Sequence, residues 1–237
     1  MNQTGRLRRE FLAGVAGSGV VLATAAARGA ALAKEKKKEA KGEDIPPTED
    51  LMREHGVLRR ILLIYDEAAR RLASDDAVAV GAVASAAGIV RRFVEGYHEK
   101  LEEQFVLPKL EKAGKLVELA KVIRAQHAAG RHLTDAILKG TSANGGKPAG
   151  PDQRRVIVTP MQTFAHMYAA HAAWEDTELF PVYRAMFDEA ELDKLGEQFE
   201  EQEHKLLGAA GFEGALKEVG DVEKTLGIHD LAVFTPR

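Results

Sequence analysis

Two stretches of the chain repeat one arrangement of metal-binding groups. His98-Glu99-Lys100-Leu101-Glu102-Glu103 leads on to Val106-Leu107-Pro108, and 73 residues later His171-Ala172-Ala173-Trp174-Glu175-Asp176 leads on to Leu179-Phe180-Pro181. In each, an imidazole is followed at i+4 by a carboxylate. On a helix those positions share a face, so each stretch aims a nitrogen and an oxygen donor at one point. The faces are apolar. Val94, Leu101 and Phe105 flank His98 at helical offsets, and Phe164, Met167, Tyr168 and Trp174 flank His171. Tyr97, Tyr168 and Trp174 are accordingly expected in the core. A carboxylate among such neighbours is costly unless something neutralises it. One His–Glu couple satisfies itself as a buried ion pair; two matching couples point to a shared cation.

Two single histidines complete the set. His55 has Leu51, Met52, Leu58 and Leu62 around it at helical spacing, and His127 has Leu119, Ile123 and Leu138. Counted from the expected breaks between helices, His55 and His98 fall within about 3 Å of the same height, and Glu102 matches His127. The long 140–151 loop and Pro160 leave the height of His171 open, but four imidazoles and two carboxylates (His55, His98, Glu102, His127, His171, Glu175) can meet in one layer. Without sulfur, this donor set suits iron and also manganese, zinc or copper. It is too large for one tetrahedral structural zinc. Two octahedral ions bridged by Glu102 and Glu175, with positions left open, account for it better.

The elements that must hold these groups are long helices. Apolar residues recur at helical spacing from Thr48, and Ser74-Asp75-Asp76 breaks the first helix. Further helices are expected over 77–112, 115–139, 152–187 (with Pro160 near its start) and 189–207, then a short helix and an irregular tail. Residues 140–151 are expected as a loop. Short breaks between long helices predict an all-α fold: an up-down antiparallel four-helix bundle over 48–187 with a C-terminal helix and tail over 188–237.

The N-terminus has a different character. Residues 11–27 carry no charge, follow Arg6, Arg8 and Arg9, and precede a small-x-small site at Ala31-Leu32-Ala33. Arg8-Arg9-Glu10-Phe11-Leu12 resembles the twin-arginine export signal, with Leu7 where Ser or Thr is more usual. Residues 1–33 are thus expected to act as a signal peptide recognised by the twin-arginine translocase. KEKKKEAKGEDIPP, residues 34–47, is a charged linker. The expected location is periplasmic or otherwise extracytoplasmic, with no stable membrane insertion after cleavage. The chain has 237 residues, no cysteine and a formal net charge of −3, which excludes disulfides, thiolate metal sites and cysteine nucleophiles, and argues against nucleic-acid binding.

The paired His-x-x-x-Glu segments, taken with His55 and His127, resemble the hemerythrin-like His-His-Glu cation-binding domain over residues 48–187. That resemblance implies two non-haem iron ions with an oxo or hydroxo bridge, and a ligand such as dioxygen, peroxide or nitric oxide. His55, His98, His127 and His171 match its terminal ligands; Glu102 and Glu175 match its bridging carboxylates. Oxygen carriers have their second bridging acid one residue later, where Asp176 stands here, so which of Glu175 and Asp176 bridges is open. They also have a His-x-x-x-His pair on the third helix. Here Arg131 follows His127 at i+4, Ile123 precedes it at i−4, and His132 points about 140° away. One iron therefore lacks a ligand, takes water, or takes Glu99. That departure favours redox chemistry or ligand exchange over reversible oxygen carriage.

The leading expectation is a metal- and oxygen-binding protein with no catalytic residue assigned. The alternatives are a di-iron peroxidase or oxidase, ferritin-like iron handling through the Glu-x-x-His pairs Glu95/His98 and Glu201/His204, and a metal-free or zinc-filled interaction module. His132, His166, His204 and His229 are expected to be structural or solvated.

Overall fold

The computed structural model describes residues 45–73, 80–143 and 150–236. The expected signal and linker, and the break at 74–76, lie outside the described residues, apart from the last three linker positions. Among the described residues there are helices and no strand.

Helix α1 spans Pro47–Ala73. Proline suits its first position, where the missing N–H costs nothing. Glu49 and Asp50 in the first turn and Arg70 and Arg71 in the last complement the helix dipole. Helix α2 runs over 80–112, α3 over Val117–Ser142, α4 over 150–184, α5 over Glu189–Leu207 and α6 over Gly211–Leu226; a short 3₁₀ turn, Leu231–Phe234, follows. Helix α1 packs on α4, α4 on α3, α3 on α2 and α2 on α1, which closes a ring around one core. Leu58, Ile61 and Tyr65 of α1, Val90 and Phe93 of α2, Ile123 and Ile137 of α3, and Met161, Phe164 and Tyr168 of α4 are fully buried within it. No helix among the described residues is long and apolar enough to cross a membrane.

Four helix ends differ from expectation. Helix α3 starts at Val117 rather than Lys115 because Leu116 adopts a left-handed backbone (φ 49°), which an α-helix cannot contain. It continues to Ser142, and Gly140 in its last turn lets α4 come close: a Cβ there would lie 2.8 Å from Ile157 Cγ1. Helix α4 begins at Gly150, contains Pro160 and ends at Arg184.

Helices α5 and α6 pack against α1 and α2. A capping box starts α5: Asp188 Oδ1 accepts from Glu191 N–H at 2.8 Å, and Glu191 accepts from Asp188 N–H at 3.0 Å. Arginines of α1 hold α6. Arg60 Nε donates to the buried Glu223 at 2.7 Å, Arg71 donates to the Leu226 carbonyl at 2.8 Å, and Arg53 lies over the Phe212 ring at 4.7 Å.

Wide π-type turns interrupt both repeat-bearing helices at matching places. They cover Glu102–Val106 in α2 and Glu175–Leu179 in α4. Leu107 N–H reaches back five residues to the Glu102 carbonyl, and Phe180 N–H reaches Glu175. The next residue in each case is proline, which has no N–H to offer the regular ladder, so widening the turn there sacrifices little.

Candidate metal centre

All six sequence-derived candidates face one buried point, and each is no more than 3% exposed. Helix α1 supplies His55, α2 His98 and Glu102, α3 His127, and α4 His171 and Glu175. His55 Nε2 and His171 Nε2 lie 3.3 and 3.1 Å from the same oxygen of Glu175. His98 Nε2 and His127 Nε2 lie 3.7 and 3.3 Å from the two oxygens of Glu102. His55 Nε2 and His98 Nε2 are 3.1 Å apart. Two nitrogens on adjacent positions of one octahedral ion, each at about 2.1 Å, would stand about 3.0 Å apart.

The donors fall into two overlapping sets. His55, His98, Glu102 and Glu175 form one; His127, His171, Glu102 and Glu175 form the other. Within each set the donor atoms lie within 4.8 Å of one another. None of the four oxygens of Glu102 and Glu175, nor His127 Nε2, has a hydrogen-bond partner. Fully buried carboxylates without such partners are expensive, and divalent cations shared between the two sets would satisfy them. The residues present thus fit a pair of metal ions.

An outer ring of acceptors orients the imidazoles. His55 Nδ1 meets Asp176 at 2.7 Å, His98 Nδ1 meets Glu54 at 2.6 Å, His127 Nδ1 meets Glu103 at 3.3 Å and His171 Nδ1 meets Gln126 at 2.9 Å. A metal ion bound at Nε2 would leave each ring its proton at Nδ1, where these acceptors stand to take it. Burial alone would lower the His55 pKa, but Asp176 and Glu175 outweigh it and raise it to about 10. His127 behaves alike: burial opposes protonation, while Glu102 and Glu103 raise it to about 10. Against the effect of burial, Glu175 is held well below the usual carboxylate range by His171 and His55, and Glu103 is lowered by His127, Lys100 and Arg131.

These contacts repeat, offset by 72 residues from α1 to α3 and by 73 from α2 to α4. His55, Asp176 and Arg59 make one chain of contacts; His127, Glu103 and Arg131 make its counterpart. The match fails at two places. Glu54 corresponds to Gln126, which exchanges a carboxylate for a neutral amide, and Glu99 corresponds to Ala172, so that one half has an acid the other lacks.

A family model described as the hemerythrin HHE cation-binding domain matches residues 47–183. The chain belongs to the hemerythrin HHE family. Uncharacterized proteins of Mycobacterium bovis and of two Mycobacterium tuberculosis strains are each 48% identical to this HHE protein over 198 residues, covering 82% of its length and 76% of theirs. That alignment is longer than the stretch matched by the family model, so the likeness takes in sequence outside it. No solved structure matches the chain.

In this HHE protein Glu175 lies at the centre, while Asp176 turns outward to His55 and Arg59. Arg131 stands four residues after His127 on α3. It donates to Glu99 at 2.7 Å and to Glu103 at 2.6 Å. Tyr168 Oη donates to the other Glu99 oxygen at 2.6 Å. Tyr168 reaches this place because Gly130 has no side chain: a Cβ there would lie 2.1 Å from the phenol oxygen.

Trp174 corrects an expectation. It is 57% exposed, not core. On the α4 wheel it lies about 60° to one side of His171, whereas Tyr168, Glu175 and Ala172 lie on the other. His132, His166, His204 and His229 are exposed. Glu95 and His204 belong to neither donor set, so the Glu-x-x-His pairs do not converge. Sequence reasoning missed Glu54, Gln126 and Glu103 as imidazole partners; the signal available was an acceptor adjacent to a candidate ligand in each half of the repeat.

Proposed function

We propose that this HHE protein is an exported non-haem di-iron protein that binds dioxygen or a related small ligand, peroxide or nitric oxide. The observation that carries this reading is the pair of four-donor sets sharing Glu102 and Glu175. His55 and His98 would hold one iron and His127 and His171 the other, with Glu102 and Glu175 common to both sets. The scaffold in this reading is an up-down antiparallel four-helix bundle over 48–187, extended by 188–237.

The iron pair supplies electron exchange with an oxygen species. The protein's residues do the rest. Asp176, Glu54, Glu103 and Gln126 fix the orientation of the rings and keep each proton at Nδ1. Glu102 and Glu175 offset the cationic charge. Phe180, stacked on His55 at 5.5 Å between ring centres, and the apolar core around it exclude water. Four protein donors per ion leave octahedral positions open to an exogenous ligand.

The Arg131 substitution gives specific weight to a second reading, a di-iron peroxidase or oxidase, because a missing imidazole leaves more room for ligand exchange. Elemental analysis of the protein from its own periplasm, with absorption spectra of anaerobically reduced and then aerated samples, separates the two. Two irons per chain and reversible charge-transfer bands are expected. Irreversible oxidation with fast peroxide consumption would favour the enzyme, and absence of iron would refute both readings. Export through the twin-arginine route is supported by Arg8 and Arg9 ahead of the uncharged run; exchanging both for Lys is expected to retain the precursor in the cytoplasm.

A further inference from the structure

We propose that Tyr65, Glu95 and Thr134 enclose a binding site for one water molecule inside the bundle, separate from the metal centre. None of the three belongs to either donor set, so the site stands whatever ion the centre takes.

The three side chains come from α1, α2 and α3. Tyr65 and Thr134 are completely buried, and Glu95 is 3% exposed. Neither oxygen of Glu95, nor Tyr65 Oη, nor Thr134 Oγ1 has a hydrogen-bond partner. They nevertheless face one another. Burial, and after it the Glu95 charge, makes the Tyr65 phenol harder to ionise. Burial raises the Glu95 carboxyl, and the nearby Thr134 hydroxyl is the largest influence lowering it. Polar groups that face one another without bonding directly are the setting in which a water serves as the bridge. The chemistry is matched. The phenol and the hydroxyl can donate, the carboxylate accepts, and a water does both. A buried water makes about three hydrogen bonds, one for each side chain here. Left dry, four such oxygens would be expensive. A cation is a poorer match, because the site offers one carboxylate and Arg91 Nη1 already stands 2.8 Å from one of its oxygens.

The internal repeat shows that packing does not demand this polarity. At the 72- and 73-residue offsets, Tyr65 corresponds to Ile137, Thr134 to Leu62 and Glu95 to Tyr168. Ile137 and Leu62 are buried hydrocarbon, and the Tyr168 hydroxyl is already bonded to Glu99. The other half thus fills the equivalent positions with groups that need no ligand. Three polar groups from three helices, gathered in one half only, mark a place where something is bound.

The test is a crystal structure of the full chain, at a resolution that shows ordered water, together with urea denaturation of Tyr65→Phe and Thr134→Val. One water within hydrogen-bond distance of Tyr65 Oη, Glu95 and Thr134 Oγ1 is expected. Each substitution removes a hydroxyl at nearly constant volume. With a water bound, each should lower the urea midpoint, by on the order of 0.5 M, because the water and Glu95 lose a partner. With nothing bound, the same change deletes a buried group that has no partner, and the midpoint holds or rises. A midpoint that holds or rises in either variant overturns the proposal, as does a wild-type structure with no density, or with a metal ion, among the three side chains. Metal content, counted in every sample, should be the same in both variants as in wild type. A loss of metal in either would tie the three residues to the centre and overturn the separate site, whereas wild type isolated without iron would refute the di-iron reading and leave the water site standing.

Discussion

The Glu54 carboxylate takes the Nδ1 proton of His98 at 2.6 Å, whereas the equivalent His171 meets only the amide oxygen of Gln126, at 2.9 Å. A carboxylate on the far nitrogen makes an imidazole a stronger donor than an amide does. The two halves of the centre are therefore chemically unequal although their inner donors match. Replacing Glu54 with Gln should lower metal affinity at the His55/His98 position by about 10- to 100-fold. Gln126→Glu should raise it at the other. Competition titrations against a chromophoric chelator would measure both shifts, and equal affinities across the three proteins would refute the assigned roles.

Stripping the metal should cost the fold heavily. The oxygens of Glu102 and Glu175 are buried without hydrogen-bond partners, and bound ions would supply more counter-charge than the neighbouring imidazoles do. With free metal at a thousand times its dissociation constant, binding contributes about 4 kcal/mol per site. Differential scanning calorimetry with and without chelator should show a marked drop in Tm that added metal restores.

Gly130→Ala should destabilise the chain by about 1–3 kcal/mol through overpacking. The new methyl would fall 2.1 Å from the Tyr168 hydroxyl and 2.8 Å from two ring carbons. Urea denaturation should detect the loss, and Tyr168→Phe in the same chain should recover only part of it, because the ring carbons stay.

Glu95 supplies a pH-dependent test away from the ligands. Burial raises its carboxyl above the ordinary value, although Arg91 stands 2.8 Å from one oxygen. A raised folded-state pKa means that the ionised form weakens the fold, so stability is highest at low pH and declines as pH rises through that pKa. Glu95→Gln should therefore stabilise at neutral pH, on the order of 1 kcal/mol. The gain should fade as pH falls below the unfolded-state carboxyl value. Thermal melts from pH 4 to pH 8 would check this, and a gain that did not change with pH would contradict it.

The helices and the inward histidines were legible because both rest on one periodicity: residues three and four apart share a face. His55, His98, His127 and His171 each sit in an apolar stripe, and that alone brings them to the core. Features that depend on contacts between helices were not legible. Trp174 lies at the edge of its stripe, and only the packing of the neighbours leaves it outside. Asp176 and Glu175 are adjacent in sequence, and the fold decides which of them faces the centre. Glu99 was among the possible ligands, but its capture by Arg131 and Tyr168 requires three helices to be in register. The prolines after each motif were visible in the sequence, whereas the wide turns preceding them depend on which carbonyl each amide reaches.

The 72- and 73-residue offsets divide the centre into two helical hairpins, each bringing two imidazoles and one inward acid. Neither hairpin alone can cage an ion pair, but two copies of one, set face to face, would reproduce the inner donor set. Such a dimer of half-size chains would need no other protein donors. The exchanges Glu54/Gln126 and Glu99/Ala172 are where the two hairpins of this chain depart from that symmetry.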